Sequence, residues 1–147
     1  MHDDAQIRRL VPGDEPVAVA ASRTFGDEGG LDASEFLRRP ETALIVAEDE
    51  AGVAGWVYGH ELVHPDGERT MLLYALDVVE RAQRRGIGTR LVRAFVDHAR
   101  TIGCTEVWVL TEDDNSAGLA TYRAAGGSRD PDQPVMFSWK LSDGRHS

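Results

Sequence analysis

The chain has 147 residues, of which 41% are hydrophobic and 28% charged, and its formal net charge at pH 7 is −9. This length predicts a single domain over residues 1–147 that can bury its own core. The acidic excess argues against a nucleic-acid partner, which needs a basic face, and suits a small cationic ligand. A single cysteine, Cys104, excludes an intrachain disulfide and favours a reducing, cytoplasmic location.

Targeting and metal-binding signals are weak in this sequence. The first ten residues, MHDDAQIRRL, lack the basic and apolar regions of a signal peptide. No apolar run approaches the roughly 20 residues that span a bilayer, so we expect no membrane partner. The five histidines and Cys104 do not follow zinc-like spacing, so no metal is expected. Residues 142–147 are predicted to be a frayed tail.

The first half of the chain predicts two helices and an antiparallel meander. A short strand at 6–10 precedes a helix at 14–25 and a second helix at 32–39, which Pro40 stops. Three strands follow, and the turn HPDGER joins the last two through residues that favour tight turns. These strands are predicted at 43–48, 53–63 and 69–79.

The second half alternates helices with strands. Apolar residues recur every three to four positions from Ile87 to Ile102, with charged residues opposite, which predicts an amphipathic helix over 86–102. A strand at 105–111, a helix at 115–125 and a last strand at 135–141 complete the pattern. A meander followed by such an alternation implies a mixed α/β fold with helices on the faces of the sheet.

The segment ALDVVERAQRRGIGTRLV, residues 75–92, is the strongest candidate for a ligand site. Gly86 and Gly88 have no Cβ, so the backbone can approach a ligand where the helix begins. Unpaired amides and the helix dipole make such a start suitable for phosphate, and Arg81, Arg84 and Arg85 add positive charge. The glycines match neither a dinucleotide fingerprint nor a P-loop. A tight turn with solvated arginines would also explain the pattern.

Two motifs identify a family resemblance. QRRGIG at 83–88 matches the Q/R-x-x-G-x-G/A signature of the GNAT superfamily of acetyl-CoA-dependent N-acetyltransferases. DNSAGLATYRAAGG at 114–127 resembles the later family segment N-x-x-A-x-x-x-Y-x-x-x-G, and one helix and one strand separate the two motifs. The resemblance implies a mixed, mostly antiparallel sheet of six to seven strands flanked by about four helices. It also implies an acetyltransferase that uses acetyl-CoA as acyl donor.

The resemblance implies roles for matching residues near acetyl-CoA. The strand edge from Asp77 to Val79 would pair with the pantetheine arm, and the amide of Val78 would polarise the thioester carbonyl. Tyr122 would protonate the departing thiolate, although an aromatic on a helix is also a common core residue. Asn115 would contact the cofactor or cap the helix. The residues implied to hold the pyrophosphate, mainly through backbone amides, are Gln83, Arg84, Arg85, Gly86, Ile87, Gly88 and Thr89.

The acceptor amine needs a base, because alkyl amines with a pKa of about 10 arrive protonated. Asp77 is the first candidate, since a carboxylate in the apolar run LLYALDVV is unexpected; local hydrogen bonding is the alternative. Other acidic residues could bind a cationic acceptor or simply form solvated loops, and two aromatic residues could line the pocket or the core. The acidic residues are Asp27, Glu28, Asp32, Glu112, Asp113 and Asp114, and the aromatic residues are Trp56 and Tyr74.

The runs LLYALDV, RRGIGTRLV and VMFSW resemble the type I aminoglycoside 3-N-acetyltransferases, which implies a cationic sugar acceptor and a role in antibiotic resistance. Those enzymes carry a carboxylate at the position of Ala75; here the carboxylate is Asp77, on the same face of the strand. Either the base has moved along that face or the acceptor differs. Peptide or protein amines, or acyl-CoA binding without turnover, are the alternatives. Related enzymes are often dimers, and an exposed last strand with Trp139 would permit a homodimer.

Overall fold

The computed structural model describes residues 5–26, 32–129 and 137–141. In these residues five strands form one sheet in the order β1-β2-β3-β4-β5. The first four strands are antiparallel neighbours, and β5 joins β4 in parallel. The strands are β1 Gln6–Arg9, β2 Thr42–Asp49, β3 Gly52–Val63, β4 Arg69–Val78 and β5 Glu106–Trp108. The α-helices are α1 Glu15–Phe25, α2 Ser34–Arg38, α3 Ile87–Thr101 and α4 Ser116–Ala124.

The mixed, mostly antiparallel fold class is confirmed, but the described residues form five strands rather than the expected six to seven. The strand predicted over 105–111 is shortened to β5, because its ladder with β4 ends at the pair Leu72 and Trp108. Residues 137–141, from the strand predicted at 135–141, pair with no strand of the described part of the chain. Their apolar side chains are exposed, and without a neighbouring ladder an alternating pattern does not make a strand. Residues 135–136 and the predicted tail lie outside the described residues.

Helix α3 covers one face of the sheet, and α1 with α2 covers the other. The apolar stripe of α3, including Ile87, Leu91 and Phe95, is buried against inward residues of β2, β3 and β4. Helix α4 packs on the same side through Tyr122. On the opposite face, Ala18 and Leu37 pack with apolar residues of β2 and β3. None of the described helices is long and apolar enough to cross a membrane.

A β-bulge in β4 decides which side chains reach the α1–α2 face. Tyr58 pairs with Ala75 and Gly59 with Leu73, so Tyr74 is the extra residue. Leu73 and Leu76 both pack into the α3 core, although strict alternation would place them on opposite faces. The bulge therefore brings Tyr74 to the same face as Asp77. Gly59 is required there, since a Cβ would lie 1.9 Å from the carbonyl oxygen of Leu72.

Candidate active site

The sheet opens between β4 and β5 and leaves an unpaired strand edge. The parallel ladder covers Thr70 to Leu72, and β4 continues from there to Val78 with β3 on its other side only. The amide of Val79 donates to the carbonyl of Ala54 at 2.9 Å, which marks a hydrogen-bonded pair. Because such pairs alternate in antiparallel strands, the amides of Leu76 and Val78 point away from β3 into the gap. The predicted thioester-polarising amide thus lies on an open edge.

The turn after β4 presents a row of amides to the same region. Arg84 and Gly86 have φ values of 67° and 76°, in the left-handed region. The first hydrogen bond of α3 joins the amide of Arg90 to the carbonyl of Gly86 at 3.1 Å. The amides of Ile87, Gly88 and Thr89 precede this bond and have no intrahelical acceptor. Together with the positive end of the helix dipole, these amides suit an anionic group.

The two glycines of the turn lie in different surroundings. A Cβ on Gly86 would face open space, so the left-handed φ rather than crowding explains this glycine. A Cβ on Gly88 would lie 3.4 Å from Cγ2 of Thr121 and 3.7 Å from Cγ2 of Val78, which are ordinary contacts. Gly88 therefore marks the point where the start of α3 meets β4 and α4.

Two of the three predicted arginines are engaged by a carboxylate that the sequence did not single out. Arg81 and Arg85 each donate to Oδ2 of Asp49, at 2.7 and 3.2 Å. The bond from Arg81 is the main reason that the pKa of Asp49 falls from 3.8 to about 2. The cluster ties the turn to the end of β2. Gln83 is also engaged, since its Nε2 donates to the carbonyl of Val78 at 3.2 Å.

Asp77 lies at the end of β4, on the face covered by α1 and α2, and is exposed. Its Oδ2 accepts a hydrogen bond from Nε1 of Trp56 at 2.9 Å. Tyr122 reaches the same region from α4; burial raises its pKa, and the charge of Asp77 raises it further. Burial also raises the pKa of Tyr58, with smaller contributions from Tyr74 and Asp77. The charge of Asp77 is therefore felt by tyrosines on both sides of the strand end.

An aromatic cluster lies on this face and includes Trp56, the hydrogen-bond partner of Asp77. Trp56, Tyr58 and His60 alternate along β3, and the bulge adds Tyr74, whose ring centre is 5.7 Å from that of Tyr58. Phe36 approaches from α2. A cleft of about 220 Å³ lies between these rings and α1. It is lined by Ala18, Ser22, Asp32, Ala33, Phe36, Leu44, Trp56 and Tyr58, so Trp56 and Asp32 of the predicted acceptor residues meet there.

Asn115 caps helix α4, the second of its predicted roles. Its Oδ1 accepts from the amide of Gly118 at 3.1 Å, and its Nδ2 donates to Oγ1 of Thr111 at 2.8 Å. Gly118 stands where the family motif has alanine. A Cβ at that position would lie 2.3 Å from Nδ2 of Asn115, so an alanine there would require the capping side chain to shift.

The predicted acidic residues are dispersed. Glu112, Asp113 and Asp114 lie in an exposed loop between β5 and α4, where Asp113 pairs with Arg129. Asp32 accepts hydrogen bonds from the amide and hydroxyl of Ser34, which lower its pKa. Asp27 and Glu28 lie outside the described residues. Within the described ranges, no three His, Cys, Asp or Glu side chains group as metal ligands.

Comparison with known proteins matches residues 9–126 to the model of the acetyltransferase (GNAT) family. Mycothiol acetyltransferase of Sanguibacter keddieii is 29% identical over 136 residues, which cover 84% of this chain and 43% of that protein. N-alpha-acetyltransferase 30 of Saccharomyces cerevisiae is 27% identical over 146 residues, covering 95% of this chain and 76% of that protein. The chain thus spans less than half the length of the mycothiol acetyltransferases it matches.

Among solved structures, an aminoglycoside acetyltransferase from an uncultured soil metagenomic sample, in complex with trehalose, has a TM-score of 0.85. It is 23% identical, and the match covers 95% of this chain and 97% of that chain. A second structure under the same protein name, in complex with sisomicin, has a TM-score of 0.84 at 22% identity, with the same coverage. At these identities the likeness concerns the fold.

Proposed function

The chain belongs to the acetyltransferase (GNAT) family, and from this membership we propose that the protein transfers an acetyl group from acetyl-CoA to a primary amine of a small cationic acceptor. One observation carries the proposal. The open edge of β4 at Val78, the unpaired amides at the start of α3 and the side chains of Asp77 and Tyr122 converge on one region.

The donor site is proposed at the open edge and the turn. Amides from Arg84 to Thr89 would hold the diphosphate of acetyl-CoA, because they precede the hydrogen-bond ladder of the helix. The pantetheine arm would lie along β4 from Asp77 to Val79 as an added strand. The amide of Val78 would then donate to the thioester oxygen and stabilise the oxyanion that forms there. Gln83 supports this edge through its bond to the Val78 carbonyl.

The reaction requires two proton movements. The acceptor ammonium gives a proton to Asp77, directly or through water, and the free amine attacks the thioester carbonyl. The tetrahedral intermediate collapses as the C–S bond breaks, and Tyr122 donates its phenolic proton to the CoA thiolate. The raised pKa of Tyr122 keeps the phenol protonated at neutral pH, as this role requires. The nitrogen then loses its remaining extra proton, which passes through solvent to the Tyr122 phenolate and restores the phenol. Asp77 releases the first proton to solvent, so that the net products are the amide, CoA thiol and one proton.

The surroundings of Asp77 support a cationic acceptor. Trp56, which donates to Asp77, contacts the ring of Tyr58, and Tyr58 contacts the ring of Tyr74. Aromatic faces attract ammonium groups, so this cluster suits a cation. The net charge of −9 favours the same ligands. Aminoglycosides are the first acceptors that we propose, on the resemblance of the chain to aminoglycoside acetyltransferases. Asp32 would rim one side of this site, and Glu112, Asp113 and Asp114 the other.

Peptide amines are the second candidate. The yeast N-alpha-acetyltransferase matches almost the whole chain, which favours an acceptor presented on a peptide. The proposal includes a cytoplasmic location, which the single cysteine supports. It also includes a homodimer, which the exposed apolar segment 137–141 supports.

Binding and turnover test the proposal separately. Calorimetry with acetyl-CoA measures donor binding, and mass spectrometry measures acetylation of sisomicin, spermidine and a short peptide. We expect Asp77→Asn and Tyr122→Phe to bind acetyl-CoA like the parent protein. Loss of the base in Asp77→Asn should lower kcat by about 10²–10⁴-fold. The matched control is Asp97→Asn, because Asp97 pairs with Arg100 on the exposed face of α3 and should not affect turnover.

The outcomes discriminate between the candidates. Acetylation of the peptide in preference to sisomicin would favour the peptide amine. Acetyl-CoA binding without acetylation of any of these amines would favour an acyl-CoA-binding module. Unchanged rates in Asp77→Asn and Tyr122→Phe would contradict the residue roles, and an absence of acetyl-CoA binding would refute the proposed function itself.

A further inference from the structure

A tryptophan faces the proposed base across the β3–β4 ladder. Trp56 and Asp77 are direct cross-strand partners, and both side chains project to the α1–α2 face. Their side chains meet in a hydrogen bond of 2.9 Å from Nε1 of Trp56 to Oδ2 of Asp77. A hydrogen bond from an N–H to a charged carboxylate is stronger than one between neutral groups, and it is also directional.

Packing restricts the side chains of Trp56 and Asp77 to different degrees. Trp56 is 8% exposed, and its ring lies 5.4 Å from that of Phe25 and 5.0 Å from that of Tyr58, measured between ring centres. Close packing against these two rings holds the indole in one orientation. Asp77 is exposed, so packing does not restrict its carboxylate in the same way. The direction of the hydrogen bond is therefore set by Trp56, and Asp77 conforms to it.

The bond also distinguishes the two carboxylate oxygens. A carboxylate accepts through both oxygens, and the indole donor engages Oδ2. Oδ1 remains the oxygen to which an acceptor ammonium, or the water that relays its proton, can bind. The same indole lines the cleft beside α1 and α2, so one rigid side chain contacts the acceptor pocket and the base together.

We infer that Trp56 is a positioning residue, which orients Asp77 so that one carboxylate oxygen is presented to the acceptor amine. The inference rests on the proposed function, in which Asp77 takes the proton. Trp56 itself moves no proton, and its contribution to turnover passes through Asp77.

A double-mutant cycle separates this role from packing. Trp56→Phe keeps an aromatic ring and removes the N–H donor. With acetyl-CoA and sisomicin we expect kcat to fall by about tenfold, which corresponds to roughly 1.4 kcal/mol. The KM for acetyl-CoA should not change, since the donor site lies at the other edge of β4. In the Asp77→Asn background the same substitution should have no further effect, because the base that it orients is absent.

A second tryptophan provides the control. Trp139→Phe removes the same N–H from a side chain that is 78% exposed, and it should not change kcat. If Trp56→Phe lowers kcat by the same factor in both backgrounds, Trp56 acts through packing and the inference is wrong. If Asp77→Asn lowers turnover and Trp56→Phe does not, the inference fails while the proposed base stands. If Asp77→Asn leaves turnover unchanged, the proposed base fails as well.

A spectroscopic measurement decides the matter even if sisomicin is not acetylated. The chain has three tryptophans, so a ¹H–¹⁵N spectrum should contain three indole signals, and Trp56→Phe identifies one by its loss. Asp77→Ala removes the acceptor and should shift this signal and speed its exchange with water. Asp97→Ala is the control and should leave it in place. A Trp56 signal that does not respond to Asp77→Ala would overturn the inference.

Discussion

Asp49 provides a test of how the candidate donor turn is held. Its Oδ2 accepts from both Arg81 and Arg85, so one carboxylate joins the end of β2 to the segment before α3. The Asp49 side chain is 9% exposed, whereas those of Arg81 and Arg85 are 42% and 34% exposed. We expect Asp49→Asn to destabilise the folded protein, because the amide keeps the shape of the side chain and removes its charge.

The size of the effect follows from the pKa of Asp49. A fall from 3.8 to about 2 corresponds to about 2 kcal/mol of preferential stabilisation of the charged form. Water screens the half-exposed guanidinium groups, so we expect a net loss of about 1 kcal/mol at pH 7. The pKa is lower in the folded state, so this stabilisation is complete above pH 3.8 and disappears as the pH falls towards 2.

Urea unfolding at pH 7, 5 and 3 measures this loss. The difference in unfolding free energy between the parent protein and Asp49→Asn should be constant from pH 7 to 5 and smaller at pH 3. In thermal unfolding at pH 7, we expect Tm to fall by about 2–4 °C. Asp97→Asn removes a charge whose pair with Arg100 is 72% exposed on both sides, and should cost little. A difference that is absent at pH 7, or that grows towards pH 3, would refute the reasoning.

Three further substitutions, with Gly67→Ala as a control for one of them, test the backbone and capping arguments. Gly59→Ala should lower the unfolding free energy by about 3 kcal/mol in urea, because its Cβ would overlap the Leu72 carbonyl; a loss below ~1 kcal/mol would contradict this packing. Gly86→Ala should weaken acetyl-CoA binding about tenfold in calorimetry, since alanine resists the left-handed φ. Gly67→Ala, equally strained in the β3–β4 turn, should spare binding; equal effects would contradict the role of the donor turn. Asn115→Ala should cost about 1 kcal/mol in thermal unfolding, and an unchanged Tm would argue against the cap.

The helix after the glycine turn shows what pattern alone can predict. Apolar residues recur at helical spacing from Ile87 to Ala99, and in the structure this apolar stripe is buried against the sheet. Because helix periodicity and burial are both encoded locally, the amphipathic helix and the meander before it were predictable. The motifs around Gly86 and Tyr122 predicted the family correctly. The site roles attached to Asp77, Val78 and the acidic loops stay predictions.

Other features depend on partners that are distant in the sequence. The bulge at Tyr74 arises from the register between two strands, and no local pattern marks it. Asp49 sits in an ordinary acidic run, and only the fold brings it to Arg81 and Arg85. The strand predicted over 105–111 ends at Trp108, where its ladder with β4 stops.

Local chemistry in the sequence determined the order of helices and strands, the face of α3 that is buried and the glycine turn that opens this helix. These properties depend on residues within a few positions of one another. The tertiary structure alone decided that the β4–β5 ladder ends at Leu72, that Trp56 donates to Asp77 and that two arginines are held by Asp49. Each of these joins segments far apart in the chain, and long-range register and packing, rather than local propensity, set their geometry.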